Sequence, residues 1–140
     1  MDDYSITIEK NPSSDDLGLL MHELHEYNAA QTGLEGDLIS IFLKDGRQQI
    51  MGGLHGWTAF NYLHVDVLWL RENLRRQGYG KRLMQVAEEE ALKRGCRYAQ
   101  LDTFGFQARA FYEKLGYRIF GELDDVAGGH KWYFLKKDLC

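Results

Sequence analysis

Cysteine and long apolar runs are scarce in this 140-residue sequence, and it has no excess of positive charge. Its two cysteines, Cys96 and Cys140, lack the spacing of a zinc site or a CxxC redox pair. No apolar run approaches the ~20 residues that a membrane span needs, and the acidic, alternating start MDDYSITIEK has none of the parts of a secretory signal. A net charge of −4 argues against broad nucleic-acid binding, which favours a basic surface. These absences predict a cytoplasmic protein without a metal, a membrane contact or a nucleic-acid partner.

What is present is typical of a globular protein. Charged residues make up 27% of the chain and hydrophobic residues 44%. The length fits one domain over residues 1–140 and argues against two. A domain of this size buries roughly 68–70% of the surface that its unfolded chain exposes, which is enough for a core without disulfides or metals.

The first half of the chain reads as a strand, a helix and three strands. Residues 4–9 (YSITIE) are predicted as the first strand. Ser13 or Ser14 can cap a helix over about 15–31. The apolar stripe of that helix is Leu17, Leu20, Met21, Leu24 and Tyr27. Strands are then predicted over 37–44, about 48–57 and 61–70, with Asp45-Gly46 as a hairpin turn.

The second half alternates helices and strands. A helix over about 78–94 is expected to end at Gly95. Its predicted buried residues are Leu83, Val86, Ala87 and Ala91. A strand (CRYAQLDTF), a short helix (QARAFYEKLG) and two strands (YRIFGEL and KWYFLKK) follow. This order predicts an α/β domain with a mixed, mostly antiparallel central sheet that contains one parallel stretch.

A glycine-bearing loop over residues 75–80 (RRQGYG) joins the third of these strands to the second helix. It is not a Walker A loop, which needs four residues between its glycines, and not a GxGxxG fingerprint, which needs a glycine where Leu83 stands. Its glycines let the backbone approach an anion, and the helix N-terminus adds partial positive charge. The two arginines and Lys81 can neutralise a phosphate. An ordinary turn before a solvated helix is the alternative on these features alone.

Two segments together carry a family resemblance. Arg75, Gly78 and Gly80 match Gln/Arg-x-x-Gly-x-Gly/Ala at the start of a helix, and Leu70 supplies the hydrophobic residue that ends the preceding strand. About thirty residues later, 111–117 (FYEKLGY) matches a short helix with a tyrosine, followed by glycine and an aromatic residue. This combination resembles the GCN5-related N-acetyltransferase (GNAT) family. The resemblance implies the GNAT fold: six to seven strands splayed at the centre and flanked by about three to four helices.

The resemblance implies acetyl-CoA as co-substrate and no metal. The pantetheine arm would pair like an added strand with backbone groups left free by the splay, and by position these belong to Val67, Leu68, Trp69 and Leu70. The pyrophosphate would be held by Arg75, Arg76, Gln77, Gly78, Tyr79, Gly80 and Lys81. Many family members carry an asparagine seven residues before the catalytic tyrosine, where this chain has Gly105; we expect Gln107 to take over that contact to the cofactor.

Acetyl transfer to an amine needs a base, an oxyanion donor and an acid. By resemblance, Tyr112 gives a proton to the departing thiolate and contacts the cofactor, the alternative being an aromatic that packs on the sheet. A backbone N–H between residues 68 and 70 would be the oxyanion donor. Asp66, with His64 two residues away on the same strand, and Glu122 are candidate bases. A satisfied His–Asp pair on the solvent side is the alternative, and the family often uses water chains instead.

Four further residues, together with His64, are candidates for the acceptor pocket. Tyr27, Asn28, His55 and Trp57 lie where family members build that pocket, although they could equally pack in the core. His22 and His25 are spaced i,i+3 and have no evident third ligand, so we interpret them as a solvated helix face and not a metal site.

The sequence therefore predicts direct acetyl transfer from acetyl-CoA to a primary amine of a small molecule. Neither cysteine is placed to act as a nucleophile, so no acyl-enzyme is expected. The alternatives are acetylation of a protein N-terminus or lysine, and a non-catalytic CoA-binding sensor. The chain lacks a long tail for docking a protein, which favours the small amine. A homodimer is compatible with the resemblance, but no motif encodes the oligomeric state or the identity of the acceptor.

Overall fold

The structure, a computed structural model, describes residues 3–140. It divides into two compact units, Met1–Glu35 and Gly36–Cys140, each of which is described by itself. Within residues 3–140, the helices fall short of the length or the apolar character that crossing a bilayer requires.

The first unit contains one helix, α1 (Ser14–Thr32). Ser13 caps it by accepting a hydrogen bond from Asp16 N at 3.1 Å, which confirms the predicted cap. Gly33 ends it in the left-handed conformation, with φ 70°. None of the apolar stripe residues of α1 is buried: Leu17, Leu20, Met21, Leu24 and Tyr27 are all exposed.

The predicted strand over residues 4–9 is wrong. The segment has no strand structure, because a strand exists only through hydrogen bonds to a neighbour and residues 4–9 pair with no other strand in the part of the chain that the structure describes. The apolar residues of this segment do alternate, at Tyr4, Ile6 and Ile8. All three side chains are more than nine-tenths exposed.

The second unit is one six-stranded sheet with two helices and a short 3-10 turn. The elements are β1 (Asp37–Lys44), β2 (Ile50–Ala59), β3 (Tyr62–Leu70), the 3-10 turn (Glu72–Leu74), α2 (Tyr79–Lys93), β4 (Tyr98–Phe104), α3 (Arg109–Lys114), β5 (Arg118–Val126) and β6 (His130–Asp138). The strand order is β1-β2-β3-β4-β6-β5. All neighbours pair antiparallel except β3 and β4, which pair parallel. The predicted mixed, mostly antiparallel sheet is confirmed.

One face of the sheet carries the core. The side of α2 that faces it buries Gly80, Leu83, Met84, Ala87 and Ala91, at the spacing of one helical stripe. The prediction that Val86 is buried was wrong: Val86 is 48% exposed and Met84 is fully buried. The small side chains on this stripe determine which side of the helix approaches the sheet, and Val86 lies beside the stripe. Tyr112 of α3 joins the same core cluster.

No element of residues 36–140 covers the opposite side of β1, β2 and β3, which we call the open face. Its apolar side chains are Leu38, Phe42, Val67 and Trp69, about half exposed or more. Together with Ile50, Gly53 and His55, several of them line a shallow apolar depression. The open face also carries a hydrogen bond of 2.7 Å between Ser40 Oγ and His55 Nδ1.

A β-bulge interrupts β3 at Asp66. The register of β2 and β3 pairs His55 with Val67 but Gly56 with Val65, so Asp66 is the extra residue. Gly56 permits this close approach, because a Cβ there would lie 1.9 Å from His64 O. The bulge is placed where the parallel pairing of β3 with β4 ends, at Val65.

Candidate active site

A gap opens between β3 and β4 beyond the bulge. The two strands pair only over residues 62–65 and 98–101, so in the part of the chain that the structure describes no strand pairs with residues 66–70 of β3 on that side. Arg71 N donates to Met51 O at 2.9 Å, which fixes the alternation of the β2–β3 ladder. By that alternation the backbone groups of Leu68 and Leu70 point into the gap. The hydrogen bond of 3.2 Å that Arg75 Nε donates to Leu70 O is consistent with this direction. The backbone groups of Val67 and Trp69 point towards β2.

The loop before α2 presents a row of unpaired donors. Among residues 3–140 no acceptor is bonded to the N–H groups of residues 76–81. Arg76 and Gly78 both have left-handed backbone, with φ 63° and 89°, and this turns successive N–H groups towards one side. The positive end of the α2 dipole lies at the same place. Exposed Arg75, Arg76 and Lys81 add cationic charge. The residues present fit a diphosphate.

Gly80 has a packing role as well as a place in the loop. A Cβ at residue 80 would lie 3.2 Å from Phe111 Cζ, so the start of α2 approaches α3 more closely than most side chains allow. This contact links the loop to the helix that carries Tyr112. The two segments that carry the family resemblance, residues 75–80 and 111–117, are therefore in contact in the structure.

Tyr112 lies in α3 and is only 7% exposed. Burial, with the Asp102 carboxylate adding to it, raises the pKa of Tyr112 to about 12. A phenol with that pKa keeps its proton throughout the physiological pH range. The hydroxyl is thus suited to give a proton and not to take one.

Asp102 was not predicted as a site residue. It lies on β4 one residue beyond the last pair with β3, and Trp132 Nε1 of β6 donates to its Oδ2 at 2.7 Å. The sequence shows Asp102 only as the single charged residue in the run YAQLDTF. Its hydrogen-bond partner Trp132 comes from a distant segment, so the sequence alone does not mark Asp102 as a site residue.

His64 and Asp66 form a pair at the mouth of the gap. His64 Nε2 lies 2.8 Å from Asp66 Oδ1, and the other ring nitrogen contacts Gln100 Oε1. The ring also stacks on Trp57, with 5.0 Å between centroids. Both nitrogens of His64 are therefore occupied, and this leaves the second oxygen of the half-exposed Asp66 carboxylate as the group that can accept a proton.

Two predicted residues are engaged elsewhere. Glu122 lies on β5, the far edge strand, and its carboxylate is 3.1 Å from Lys131 Nζ, so the structure does not bring it to the gap. Gln107 Oε1 accepts from Phe104 N at 2.8 Å and closes the turn before α3. That oxygen is committed to the turn, and only the amide NH₂ of Gln107 is left for a cofactor.

The predicted acceptor residues fall in both units. His55 and Trp57 lie on the open face, beside His64. Tyr27 and Asn28 lie in the last turns of α1, within the first unit. His22 and His25 also belong to α1, and among residues 3–140 no cluster of three metal-ligating side chains is found.

Comparison with known proteins gives consistent matches. Residues 8–117 match the model of the acetyltransferase (GNAT) family. An acetyltransferase of Agrobacterium fabrum is 37% identical over 113 residues, covering 79% of this chain and 82% of that protein. The blasticidin-S acetyltransferase of Streptomyces morookaense is 38% identical over 94 residues, covering 66% and 69%. A crystal structure of an acetyltransferase from Agrobacterium tumefaciens superposes with a TM-score of 0.87 at 30% identity, covering 96% and 99%.

Proposed function

Since this chain belongs to the acetyltransferase (GNAT) family, we propose that it transfers the acetyl group of acetyl-CoA directly to a primary amine of a small molecule. One observation carries the proposal: among residues 3–140, the row of free N–H groups over residues 76–81 follows a stretch of β3 in which Leu68 and Leu70 pair with no strand on the side of the gap. A diphosphate accepts hydrogen bonds from such a row. An amide-bearing arm pairs with an unpaired strand. Coenzyme A carries both groups in one molecule.

Each catalytic task has a residue in this arrangement. Acetyl-CoA supplies an acetyl group activated as a thioester. The N–H of Leu68 points into the gap and can donate to a carbonyl oxygen placed there. The hydroxyl of Tyr112, kept protonated by its raised pKa, holds the proton that a leaving thiolate needs. Asp66, oriented by His64, accepts a proton from the incoming ammonium directly or through water.

The acceptor is a small amine that arrives protonated. The carboxylates of Asp66 and Asp102 lie on the two strands that border the gap, and both attract a cation. Trp57 and His55 supply aromatic surface beside them. A relative named for a small-molecule acceptor, blasticidin S, supports this class over a protein N-terminus or lysine.

An acceptor screen that follows thiol release tests the proposal. The panel contains small amines, blasticidin S, and peptides with a free N-terminus or an internal lysine. We expect thiol release with a small amine, and a fall in kcat of about 10²–10⁴-fold for Tyr112→Phe. Acetyl-CoA affinity by calorimetry should be unchanged in that variant. Tyr117→Phe is the matched control, because Tyr117 is also a buried tyrosine but donates to Glu88 Oε2 at 2.9 Å.

The outcomes separate the alternatives. Binding of acetyl-CoA without thiol release from any acceptor would identify a sensor module. Preferred turnover of the peptides would identify a protein acetyltransferase. The absence of any heat with acetyl-CoA would overturn the proposal itself.

A further inference from the structure

A row of three side chains crosses the sheet just before the gap opens. Trp57 of β2 and His64 of β3 are opposite each other in the antiparallel ladder, and Gln100 of β4 is the partner of His64 in the parallel ladder. Side chains of directly paired residues lie on the same side of a sheet and contact each other. One further parallel pair follows before the two strands separate. Gln100 therefore reaches the His64–Asp66 pair from the other strand that borders the gap.

The ring of His64 is held on three sides. One face stacks on Trp57, with 5.0 Å between the ring centroids and 25° between the planes. Nδ1 contacts Gln100 Oε1, and Nε2 lies 2.8 Å from Asp66 Oδ1. Stacking alone fixes the plane of the ring but not its direction, because a half turn about the Cβ–Cγ bond keeps the plane and exchanges the nitrogens with carbons. The hydrogen bonds therefore decide whether Nε2 faces Asp66.

Of the two hydrogen-bond partners of His64, Gln100 is the one that the sheet holds in place. It lies inside a regular stretch of β4, paired with His64 on one side and with Lys136 of β6 on the other. Asp66 is the extra residue of the bulge, and in the ladder that the structure describes no residue of β2 is paired with it. A fixed partner orients one that is less fixed. Gln100 therefore orients His64, and His64 orients Asp66.

An amide suits the position of Gln100 better than a carboxylate does. A neutral imidazole has one N–H donor and one acceptor, so a hydrogen on Nε2 for Asp66 leaves Nδ1 as an acceptor. A doubly protonated imidazole donates from both nitrogens. The amide of Gln100 has an oxygen that accepts and an NH₂ group that donates, and a half turn of the amide exchanges the two. It can therefore bond to Nδ1 in both protonation states of His64 while Nε2–H stays on Asp66.

The charged surroundings of His64 are mixed. Asp66 is in contact with it, whereas Lys136 Nζ lies 5.9 Å from the centroid of the Phe120 ring and so points towards β5. The protonation of His64 is thus coupled most directly to Asp66, and the neutral amide of Gln100 adds no charge to the pair. Within residues 36–140, the groups near the row on this side of the sheet that carry charge or titrate below about pH 9 are His55, Asp66, Asp102, Lys136 and Asp138.

We propose that Gln100 is a positioning residue for acetyl transfer: it holds the His64 ring so that Nε2–H binds Asp66 Oδ1 and leaves Oδ2 to accept the proton of the acceptor. In that step an N–H bond of the ammonium group breaks and an O–H bond forms on Asp66. The nitrogen keeps the electron pair, with which it attacks the thioester carbon. This role of Gln100 rests on the proposed function, since it belongs to that reaction.

Thiol release by two variants tests the role of Gln100. Gln100→Met keeps the length of the side chain but has no strong hydrogen-bonding group for Nδ1. Its kcat should fall by about tenfold, whereas KM for acetyl-CoA should not change, because the loop before α2 is untouched. Lys136→Met is the matched control, since Lys136 is the neighbour of Gln100 in the ladder but directs its Nζ to Phe120. Its kcat, and the urea midpoints of both variants, should match the wild type.

Gln100→Glu gives a result that a purely structural contact would not give. A carboxylate accepts a hydrogen bond but cannot donate one, so it holds Nδ1 only while Nδ1 carries a hydrogen. Relative to the wild type at the same pH, kcat of Gln100→Glu should fall as pH rises from about 6 to about 9, the range in which a histidine beside carboxylates loses its second proton. The same ratio for Gln100→Met should be low and constant. A Gln100→Glu ratio that does not change with pH overturns the role of Gln100.

Nitrogen NMR of the histidine side chains gives a readout that needs no turnover. The His64 signals, identified by their absence in His64→Gln, should show Nε2 as the protonated nitrogen of the neutral ring in the wild type and a mixture of both tautomers in Gln100→Met. Unchanged signals in Gln100→Met, or an unchanged kcat, would overturn the role of Gln100 and leave the proposed function intact. Changed signals together with no turnover of any amine by the wild type would reject the proposed function instead.

Discussion

Gly56→Ala tests whether the bulge at Asp66 depends on the absence of a side chain opposite it. The added Cβ would lie 1.9 Å from His64 O, with the carbonyl carbon at 3.0 Å and Val65 Cα at 3.1 Å. All three of these atoms are backbone, so no flexible side chain can move aside. Real Cβ contacts are essentially never shorter than 3.0 Å, so β2 and β3 must separate locally by at least about 1 Å.

The expected loss combines two effects. Overpacking of a well-packed site costs about 1–3 kcal/mol. A lost ladder hydrogen bond next to the bulge adds about 1 kcal/mol. We therefore expect Gly56→Ala to lower the free energy of unfolding by about 2–4 kcal/mol, opposed by at most about 1 kcal/mol from the reduced entropy of the unfolded chain. Because Asp66 and Leu68 would move with β3, turnover should fall by about 10²-fold.

Urea unfolding and thiol release measure the two consequences. With a urea dependence of about 1–3 kcal/mol/M, the midpoint should fall by about 1–2 M. Gly121→Ala is the control, because Gly121 is also a strand glycine but has no atom within 4 Å of its added Cβ. That variant should be as stable as the wild type or slightly more stable. Equal midpoints for the two variants, with normal turnover, would show that the bulge does not depend on Gly56.

Three further results are expected. Arg75→Ala should weaken acetyl-CoA binding by about tenfold at low salt and by less at high salt. Lys93→Ala, at the other end of α2, should leave the affinity unchanged. Calorimetry at two ionic strengths measures both affinities, and an unchanged affinity in Arg75→Ala would argue against the diphosphate site. Burial raises the pKa of Tyr112 to about 12, and burial with Glu88 raises the pKa of Tyr117 still further, so the folded state keeps protons that the unfolded chain releases near pH 10. The contribution of these two tyrosines to stability should thus be fully present below about pH 10 and be lost above it, so stability should fall above pH 10 less steeply in Tyr117→Phe. Parallel urea-midpoint curves for the two proteins above about pH 10 would contradict the assignment. Burial raises the pKa of the Cys96 thiol, so a thiol reagent should label exposed Cys140 first and Cys96 only on unfolding, as mass spectrometry of the peptides can show.

The elements that local sequence determines were predicted well. The Ser13 cap, the left-handed Gly95 after α2 and the glycine loop each depend on a few adjacent residues, and the structure places all three as expected. The predicted strand over residues 4–9 failed for the opposite reason. Its alternation is local information, but a strand also needs a partner, and periodicity does not provide one.

The sequence proposes site residues only where a single segment carries the motif. Tyr112 and the loop match short sequence motifs, whereas Asp102 is held by a hydrogen bond from Trp132, thirty residues away in the sequence. The bulge at Asp66 likewise depends on Gly56 in the neighbouring strand. Glu122 shows the converse error, because a carboxylate at a plausible distance in sequence lies two strands from the gap. Long-range register decides such cases.

The short parallel pairing of β3 with β4 has a practical consequence. Within residues 3–140, four residue pairs form the only ladder that joins the three-stranded halves β1-β2-β3 and β4-β6-β5 of this sheet. A compound that contacts both halves binds only the folded protein, because unfolding separates the halves. Such a compound therefore raises the melting temperature. At a hundredfold excess over its dissociation constant the gain is about 2.7 kcal/mol. Thermal-shift screening of metabolites can therefore identify what this molecule holds before any turnover has been observed.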